Sequence, residues 1–197
     1  MGKLKIIYLA ILNRGKKMIK KEDIVNLIKD YNKKFGMTGI ANVLWYLSRH
    51  NYIKRIFLDY YYINSIEERE LGTCMYEDKE LLFEVLNKEK IKWYIGLNSS
   101  KYYLGEIWQF PIVLTIINNK FSGKRKINSM EVKFIKIKEN LIFGLVARNT
   151  KNKIKFYCSN IQKTNLDLLY FKLTKKIFLD KKTKEYAKRF PKWLLKR

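Results

Sequence analysis

Residues 93–146 constrain the fold of this chain more than any other segment. They begin with the pattern of an amphipathic helix and pass through Pro111 into three runs that resemble β-strands. The first run, residues 112–117, is almost wholly apolar and β-branched, which is typical of a strand covered on both faces. The other two runs, residues 132–137 and 141–146, contain several apolar residues with charged residues within or near them. The segment therefore predicts part of a sheet, and nothing in it has the pattern of an active site.

A basic segment, residues 120–126, lies between the first two of these runs. Gly123 can adopt positive φ without a steric clash, so the segment is predicted to be a turn. Lys124 and Arg125 follow that glycine, and cationic side chains at a turn can contact the phosphates of a nucleic acid. Both are therefore included in the predicted set of DNA-binding residues.

The order of these pieces resembles the central part of the AbiEi family, which comprises antitoxins and transcriptional regulators of type IV toxin–antitoxin systems. The matching features are the tyrosine-rich YIGLNSSKYYLG, the QFP that follows it, the hydrophobic strand, the SGKR turn and FIKIKENLIFGLV, which together cover roughly a quarter of the chain. Residues 159–173 resemble the family's closing helix. Residues 166–170 match the end of its LLDLLY, while residues 162–165 replace its Pro-Glu-Lys-Ala opening.

The resemblance implies a fold and a function. The fold would be α+β, with an N-terminal winged helix-turn-helix, an α/β domain with a small, mostly antiparallel sheet, and a basic C-terminal helical segment. The function would be that of a sequence-specific DNA-binding antitoxin and autorepressor, which counters a nucleotidyltransferase toxin without necessarily forming a stable complex with it. Its partner would be double-stranded DNA carrying the repeats of its own promoter, on which two copies could assemble as a homodimer, and no cofactor is implied.

Three amphipathic helices are predicted in the first fifty residues. Their apolar stripes follow the helical period: Leu4, Ile7, Tyr8 and Ile11, then Ile24, Leu27, Ile28 and Tyr31, then Ile40, Val43, Leu44 and Leu47. Residues 13–15 are predicted to end the first helix and Gly36 the second. Thr38 is expected to cap the N-terminus of the third.

The face of the third helix opposite its apolar stripe carries residues suited to nucleic acid. Thr38, Asn42 and Arg49 lie on it, with Tyr46 beside them. Asparagine reads adenine, and arginine reads guanine or holds the backbone. These four residues are predicted to contact DNA, whereas Trp45 on the same face is expected to pack against a neighbouring segment.

Residues 52–63 predict two short strands around a turn near Leu58 and Asp59, with Lys54 and Arg55 on the first strand available for phosphates. Three helices followed by a β-ribbon correspond to a winged helix-turn-helix over residues 1–66. The AbiEi pattern turns at a glycine that is missing here, which makes the tip of the ribbon less basic. The alternative is a helical packing module that contacts only protein.

The remaining segments complete the predicted organisation. Residues 64–73 are acidic and predict a linker or a short helix, which places a domain boundary near residue 70 and a second domain at 71–197. Residues 179–197 form a basic amphipathic segment with three open interpretations: packing on the domain, binding nucleic acid, or binding a membrane surface.

The charge balance favours a polyanionic partner. Forty-two lysines and arginines against 18 acidic residues leave a net charge of +24, and this excess is concentrated in the two ends of the chain. Two distant cysteines and one histidine give no metal-ligand spacing, so no metal site is predicted. No apolar run approaches the length of a membrane span, and we predict a cytoplasmic protein without catalytic activity.

Two functions of other classes stay open. A protein–protein adaptor with general polyanion affinity would use the same basic surface without reading sequence. A metal-dependent nuclease would use Glu131 and Lys133, whose Glu-x-Lys spacing can hold a divalent metal and a catalytic lysine. The nuclease is the weaker alternative, because Glu106 is the only nearby acidic residue upstream and the tripeptide is common by chance.

Overall fold

The computed structural model describes residues 2–31 and 36–195, and over them the chain is a mixed α+β protein. These residues form eight α-helices and nine β-strands, and the strands make one sheet of three and one of six. The chain divides into two compact units, the first ending at Val85 and the second beginning at Leu86. In the described part of the chain, no helix has both the length and the apolar character needed to cross a lipid bilayer.

The first unit contains the smaller sheet. Its elements are α1 (Gly2–Leu12), β1 (Met18–Lys20), α2 (Lys21–Tyr31), α3 (Met37–Arg49), β2 (Ile53–Arg55), β3 (Tyr60–Ile63), α4 (Ile66–Leu71) and most of α5 (Asp78–Lys88). Strand β3 lies in the middle of the sheet and pairs antiparallel with β1 and β2. The predicted apolar stripes of the three helices form the core, except that Tyr31 is 43% exposed.

The hairpin between β2 and β3 turns at Leu58 and Asp59, as predicted. Both residues have positive φ, 47° and 59°, and the Tyr60 amide donates to the Phe57 carbonyl oxygen at 2.9 Å. Positive φ at both central residues characterises the two-residue turn that matches strand twist, and asparagine, aspartate or glycine usually occupies it. The pairing of the flanking strands therefore holds Leu58 in the left-handed conformation, which its Cβ atom disfavours.

Two features of the first unit differ from the sequence prediction. The N-cap of α3 is Gly36, with no side-chain hydrogen bond, and Thr38 lies inside the first turn instead of capping it. Strand β1 has no counterpart in the prediction, because three residues are too few to show a strand period. Helix α2 is described as far as Tyr31, and the predicted stop at Gly36 follows residues 32–35, which lie outside the described residues.

A buried carboxylate organises α4 and the residues around it. Ser65 and Glu68 form a capping box, so the acidic segment adopts the short helix that was one of its two predicted forms. Glu68 also accepts hydrogen bonds from the Tyr62 hydroxyl at 2.7 Å and the Met75 amide at 2.6 Å. Burial, together with this carboxylate, raises the pKa of Tyr62 above its ordinary value. The carboxylate thus links the end of the small sheet to the segment that follows it.

We expect Glu68→Ala to lower the free energy of unfolding by about 2–4 kcal/mol, because three donors would lose a buried acceptor. Denaturant unfolding of the whole protein measures this loss. Glu70→Ala, at an exposed position of the same helix, is the control and should leave the midpoint almost unchanged. A Glu68→Ala protein that unfolds at the wild-type midpoint would show that the carboxylate does not hold this segment.

The second unit is built on a mixed six-stranded sheet. Its elements are β4 (Trp93–Ile95), α6 (Leu97–Tyr103), β5 (Val113–Asn118), β6 (Gly123–Ile127), β7 (Met130–Lys136), β8 (Leu145–Asn149), β9 (Lys155–Ser159), α7 (Ile161–Tyr170) and α8 (Lys181–Ala187). The strand order is β6-β7-β5-β4-β9-β8, and three of the five pairings are antiparallel. Strand β5 is buried from its second residue to its last, in agreement with the predicted strand covered on both faces.

The sequence prediction misplaces three pieces of this unit. Trp93–Ile95 is strand β4, not the start of a helix, because it pairs with β5 and β9. Gly123 has the positive φ predicted for the basic turn, at 127°, but Gly123–Ile127 pairs with β7 as strand β6. The predicted strand over residues 141–146 begins only at Leu145, after a 3-10 turn.

A fully buried ion pair lies in the core of the second unit. Lys163 and Asp167, one turn apart on α7, are in direct contact and have side chains that are 0% exposed. The Tyr94 hydroxyl donates to Asp167 Oδ2 at 2.9 Å and accepts from Lys163 Nζ at 3.0 Å. The rings of Phe143 and Phe190 lie 5.3 and 4.9 Å from the same Nζ. Burial lowers the pKa of Lys163 and raises those of Asp167 and Tyr94, and the contact within the pair opposes the first two shifts.

The C-terminal segment packs its apolar side on this core. Phe190 and Leu194 are buried, and the Tyr186 ring lies edge-on to Phe143 at 5.1 Å. Packing on the domain, one of the three interpretations of this segment, is therefore observed for residues up to 194. Most of its lysines remain exposed, and the last two residues of the chain lie outside the described residues.

Candidate nucleic-acid interface

Helix α3 presents one continuous exposed face. Its buried residues occupy the other side, which leaves Thr38, Asn42, Trp45 and Arg49 in solvent. Successive spacings of four, three and four residues place these side chains in one stripe along the helix. The helix contains no acidic residue, so nothing along the stripe repels a phosphate. The structure thus brings together three of the four residues predicted to contact DNA from this helix, with Trp45 exposed among them.

Trp45 and Tyr46 lie where the helical period puts them, Trp45 on the exposed face and Tyr46 beside it, but the expected packing of Trp45 is wrong. Trp45, expected to pack against a neighbouring segment, is 65% exposed because the core side of the helix is filled by its apolar stripe. Tyr46 is half-buried at the side of the stripe, and its ring lies 4.1 Å from that of His50, the C-cap of the helix. The contact of Tyr46 with DNA stays a prediction, and Trp45 is the aromatic side chain that the stripe offers to a partner.

Lys54 and Arg55 of β2 differ in their availability. The Lys54 Nζ atom lies 2.7 Å from Asp78 Oδ1 in a partly buried ion pair, so a phosphate would have to replace an existing carboxylate. Arg55 pairs with Asp59 at 3.1 Å, and both side chains are more than half exposed. An exposed pair of this kind contributes little stability, so the guanidinium can exchange its partner for a phosphate. The hairpin therefore favours Arg55 over Lys54 as a phosphate contact.

The structure also brings lysines to the hairpin tip that the sequence does not place there. Strand β1 pairs with β3, and the Lys21 amide donates to the Asp59 carbonyl oxygen at 2.8 Å. The neighbouring Lys20 has its Nζ atom 5.3 Å from the centre of the Tyr60 ring. Both lysines are exposed. The tip is therefore more basic than its own sequence suggests, and only the unpredicted pairing of β1 reveals this.

Lys124 and Arg125 lie in the second unit. They are neighbours on β6, so their side chains are directed to opposite faces of the sheet. Both are exposed, and Arg125 Nη1 donates to the Lys124 carbonyl oxygen at 2.8 Å. The predicted set of DNA-binding residues is thus divided between the two units, with six residues in the first and two in the second.

No three histidine, cysteine, aspartate or glutamate side chains among residues 2–31 and 36–195 are placed to hold a metal ion together. Glu131 and Lys133, the pair on which the nuclease alternative depends, are exposed on β7. In the ladder they lie opposite Lys126 and Lys124 of β6. The exposed residues of the candidate interface are cationic, polar or aromatic, which suits contacts with phosphates and bases.

Comparison with known proteins adds no assignment, since no protein-family model matches the chain and no curated protein matches it significantly.

Proposed function

We propose that the first unit is a winged helix-turn-helix that binds double-stranded DNA, and that the chain is an antitoxin and autorepressor of a type IV toxin–antitoxin operon. One observation carries the DNA-binding part of this proposal. It is the exposed, acid-free stripe of Thr38, Asn42, Trp45 and Arg49 on the third helix of the unit.

The order of elements supports the winged helix. Three helices are followed by the β2–β3 hairpin, with β1 between the first two helices and paired to the hairpin. In a helix-turn-helix protein, the recognition helix enters the major groove and its side chains meet the base edges. Asn42 is suited to adenine and Arg49 to guanine. Arg55, with Lys20 and Lys21 at the tip, would hold phosphates and fix the orientation of the unit on the duplex.

The antitoxin part of the proposal rests on the resemblance of residues 93–146 and 159–173 to the AbiEi family. In that arrangement the first unit represses the operon, and the second supports antitoxin activity against a nucleotidyltransferase toxin. No stable complex with the toxin is required. Two copies bound to promoter repeats would form the repressing assembly.

A reporter under the control of the protein's own promoter tests repression. Expression of the full chain should lower reporter output, and Asn42→Ala/Arg49→Ala should restore it at equal protein level. Undiminished reporter output with the wild-type chain would contradict autorepression and favour the adaptor.

Co-expression with the nucleotidyltransferase expected to be encoded beside it tests the antitoxin part. The wild-type chain should restore the growth of cells that produce this enzyme. Continued arrest in the presence of well-folded protein would remove the antitoxin function and leave the DNA-binding function standing.

A further inference from the structure

Strand β6 forms one edge of the six-stranded sheet and carries three consecutive basic residues, Lys124, Arg125 and Lys126, all exposed. Among the described residues it pairs only with β7. The outer side of such a strand presents backbone amide and carbonyl groups that can pair with another strand. A row of backbone donors and acceptors therefore lies directly beside a concentration of positive charge.

One cross-strand pair between β6 and β7 places like charges opposite each other. Lys124 lies directly opposite Lys133, and Lys126 lies opposite Glu131. Like charges directly opposite each other destabilise an antiparallel pair. Cross-strand partners share a face of the sheet, so these side chains form one patch with three lysines and one glutamate. The pair of Lys124 and Lys133 therefore does not stabilise the sheet. An anionic ligand bound between the two lysines would explain why they lie opposite each other.

A groove of about 380 Å³ opens next to this pair. Lys124 and Lys133 line one part of it, and Ile135, Phe171 and Leu173 give it an apolar part. Leu173 is 57% exposed, which leaves its side chain available to a ligand. The groove therefore combines two cations with a surface suited to an apolar side chain.

We propose that this edge binds an extended acidic segment of a partner protein, which adds to the sheet as a seventh strand beside β6. Main-chain hydrogen bonds to the edge give affinity in this mode of recognition, and alternate side chains give specificity. Two acidic side chains two residues apart would lie beside Lys124 and Lys126. An apolar side chain two residues further along would enter the groove.

The charges, the unpaired edge and the groove together favour this occupant over the other ways of covering the edge. A second copy of β6 would bring its own lysines and arginine into the pairing and would be repelled, as edge lysines generally ensure. A phosphodiester backbone satisfies lysines but cannot complete a β-ladder or fill an apolar groove with an aliphatic side chain. An acidic peptide strand can neutralise the lysines, pair with the edge of the sheet and place an apolar side chain in the groove. This inference does not depend on DNA binding by α3.

The test uses the full-length protein and a fluorescein-labelled synthetic peptide, acetyl-Thr-Glu-Thr-Glu-Thr-Leu-Thr-amide, with fluorescence anisotropy as the readout. We expect Lys124→Glu/Lys133→Glu to weaken binding at least about tenfold, because reversed charges then face the acidic side chains. The control Lys151→Glu/Lys153→Glu changes the net charge equally at two other exposed positions of the same unit and should leave affinity nearly unchanged. A peptide with glutamine for glutamate should also bind weakly.

Two further measurements separate strand addition from simple charge attraction. Amide hydrogen exchange within Gly123–Ile127 should slow when the peptide binds. A peptide N-methylated at alternate residues, which cannot form the ladder, should bind weakly. The proposal is overturned if the peptide binds both double variants equally, if it does not bind at all, or if single-stranded DNA binds more tightly and loses its affinity in Lys124→Glu/Lys133→Glu.

Discussion

Replacing Asn42 and Arg49 together by alanine should abolish the preference for the protein's own promoter over a scrambled duplex that the proposed function predicts. A bidentate contact from asparagine to adenine, or from arginine to guanine, contributes about 1–3 kcal/mol of discrimination against other bases. Two such contacts correspond to a preference of roughly 30-fold to 10⁴-fold. Both side chains are exposed on α3, so their truncation should leave the fold and the unfolding midpoint nearly unchanged. Titration of labelled duplexes with purified protein measures the preference.

A second pair of exposed residues, also an asparagine and an arginine, provides a matched control. Asn13 and Arg14, in the turn after α1, are exposed, and Asn13→Ala/Arg14→Ala removes the same two side-chain types. This variant should keep the preference for the promoter, with at most a uniform loss of affinity for both duplexes. Equal loss of preference in both variants, or a preference that persists in the α3 variant, would mean that α3 does not read the sequence.

Asp167→Ala should lower the free energy of unfolding by about 3–5 kcal/mol, because it leaves the buried Lys163 without its carboxylate. The two side chains are 0% exposed, so water cannot replace the lost partner. Lys163→Met/Asp167→Leu removes both charges and keeps apolar volume, and it should recover most of that loss. The free energies come from denaturant unfolding of the wild type, the single variant and the double variant.

The single variant should also show a characteristic pH dependence. Burial lowers the pKa of Lys163 in the folded protein below the ordinary value of 10.5, and removal of Asp167 removes the interaction that opposes this shift. The unfolded chain then binds more protons than the folded one between the lowered and the ordinary pKa, so stability rises with pH across that window. Asp167→Ala should therefore lie closer to the wild type at pH 9.5 than at pH 7. If the difference in unfolding free energy between Asp167→Ala and the wild type is the same at both pH values, burial does not lower the pKa of Lys163 in the variant.

The sequence predicts the helices of the first unit better than its strands. Residues such as Ile24 and Ile28, or Ile40 and Leu44, recur at the helical period, and this period alone fixes which side of each helix is buried. Strand β1 is only three residues long and exists through its pairing with β3. Strand β4 is the apolar run Trp93–Ile95, which fits a helix equally well until its neighbours in the sheet are known.

Only part of the candidate interface can be predicted from the sequence. Asn42 and Arg49 can be predicted because the exposed side of a helix follows from its buried side. The ion pair of Lys54 with Asp78 joins residues 24 positions apart, and no local pattern predicts it. The approach of Lys20 and Lys21 to the hairpin tip depends on the register of β1 against β3.

The buried charges of the second unit show a further limit of sequence reasoning. Lys163 and Asp167 have the spacing of an ordinary surface pair on a helix, and charged residues are rarely fully buried. Their burial becomes visible only when Tyr94 and the C-terminal segment are placed around them. The same holds for Lys124 and Lys133, which become neighbours only through the β6–β7 ladder.

Sequence-specific DNA binding can be measured by titrating the purified full-length protein onto its own promoter fragment and onto a scrambled duplex of equal length, across about 50 to 200 mM salt. A protein that neutralises ~6–10 phosphates loses on the order of 10³–10⁵ in affinity over this range, whatever the sequence. We predict that affinity for both duplexes falls steeply but that the promoter stays preferred near physiological salt. Equal affinities that fall together would contradict it, since the net charge of +24 would then be acting only as a general attraction for polyanions.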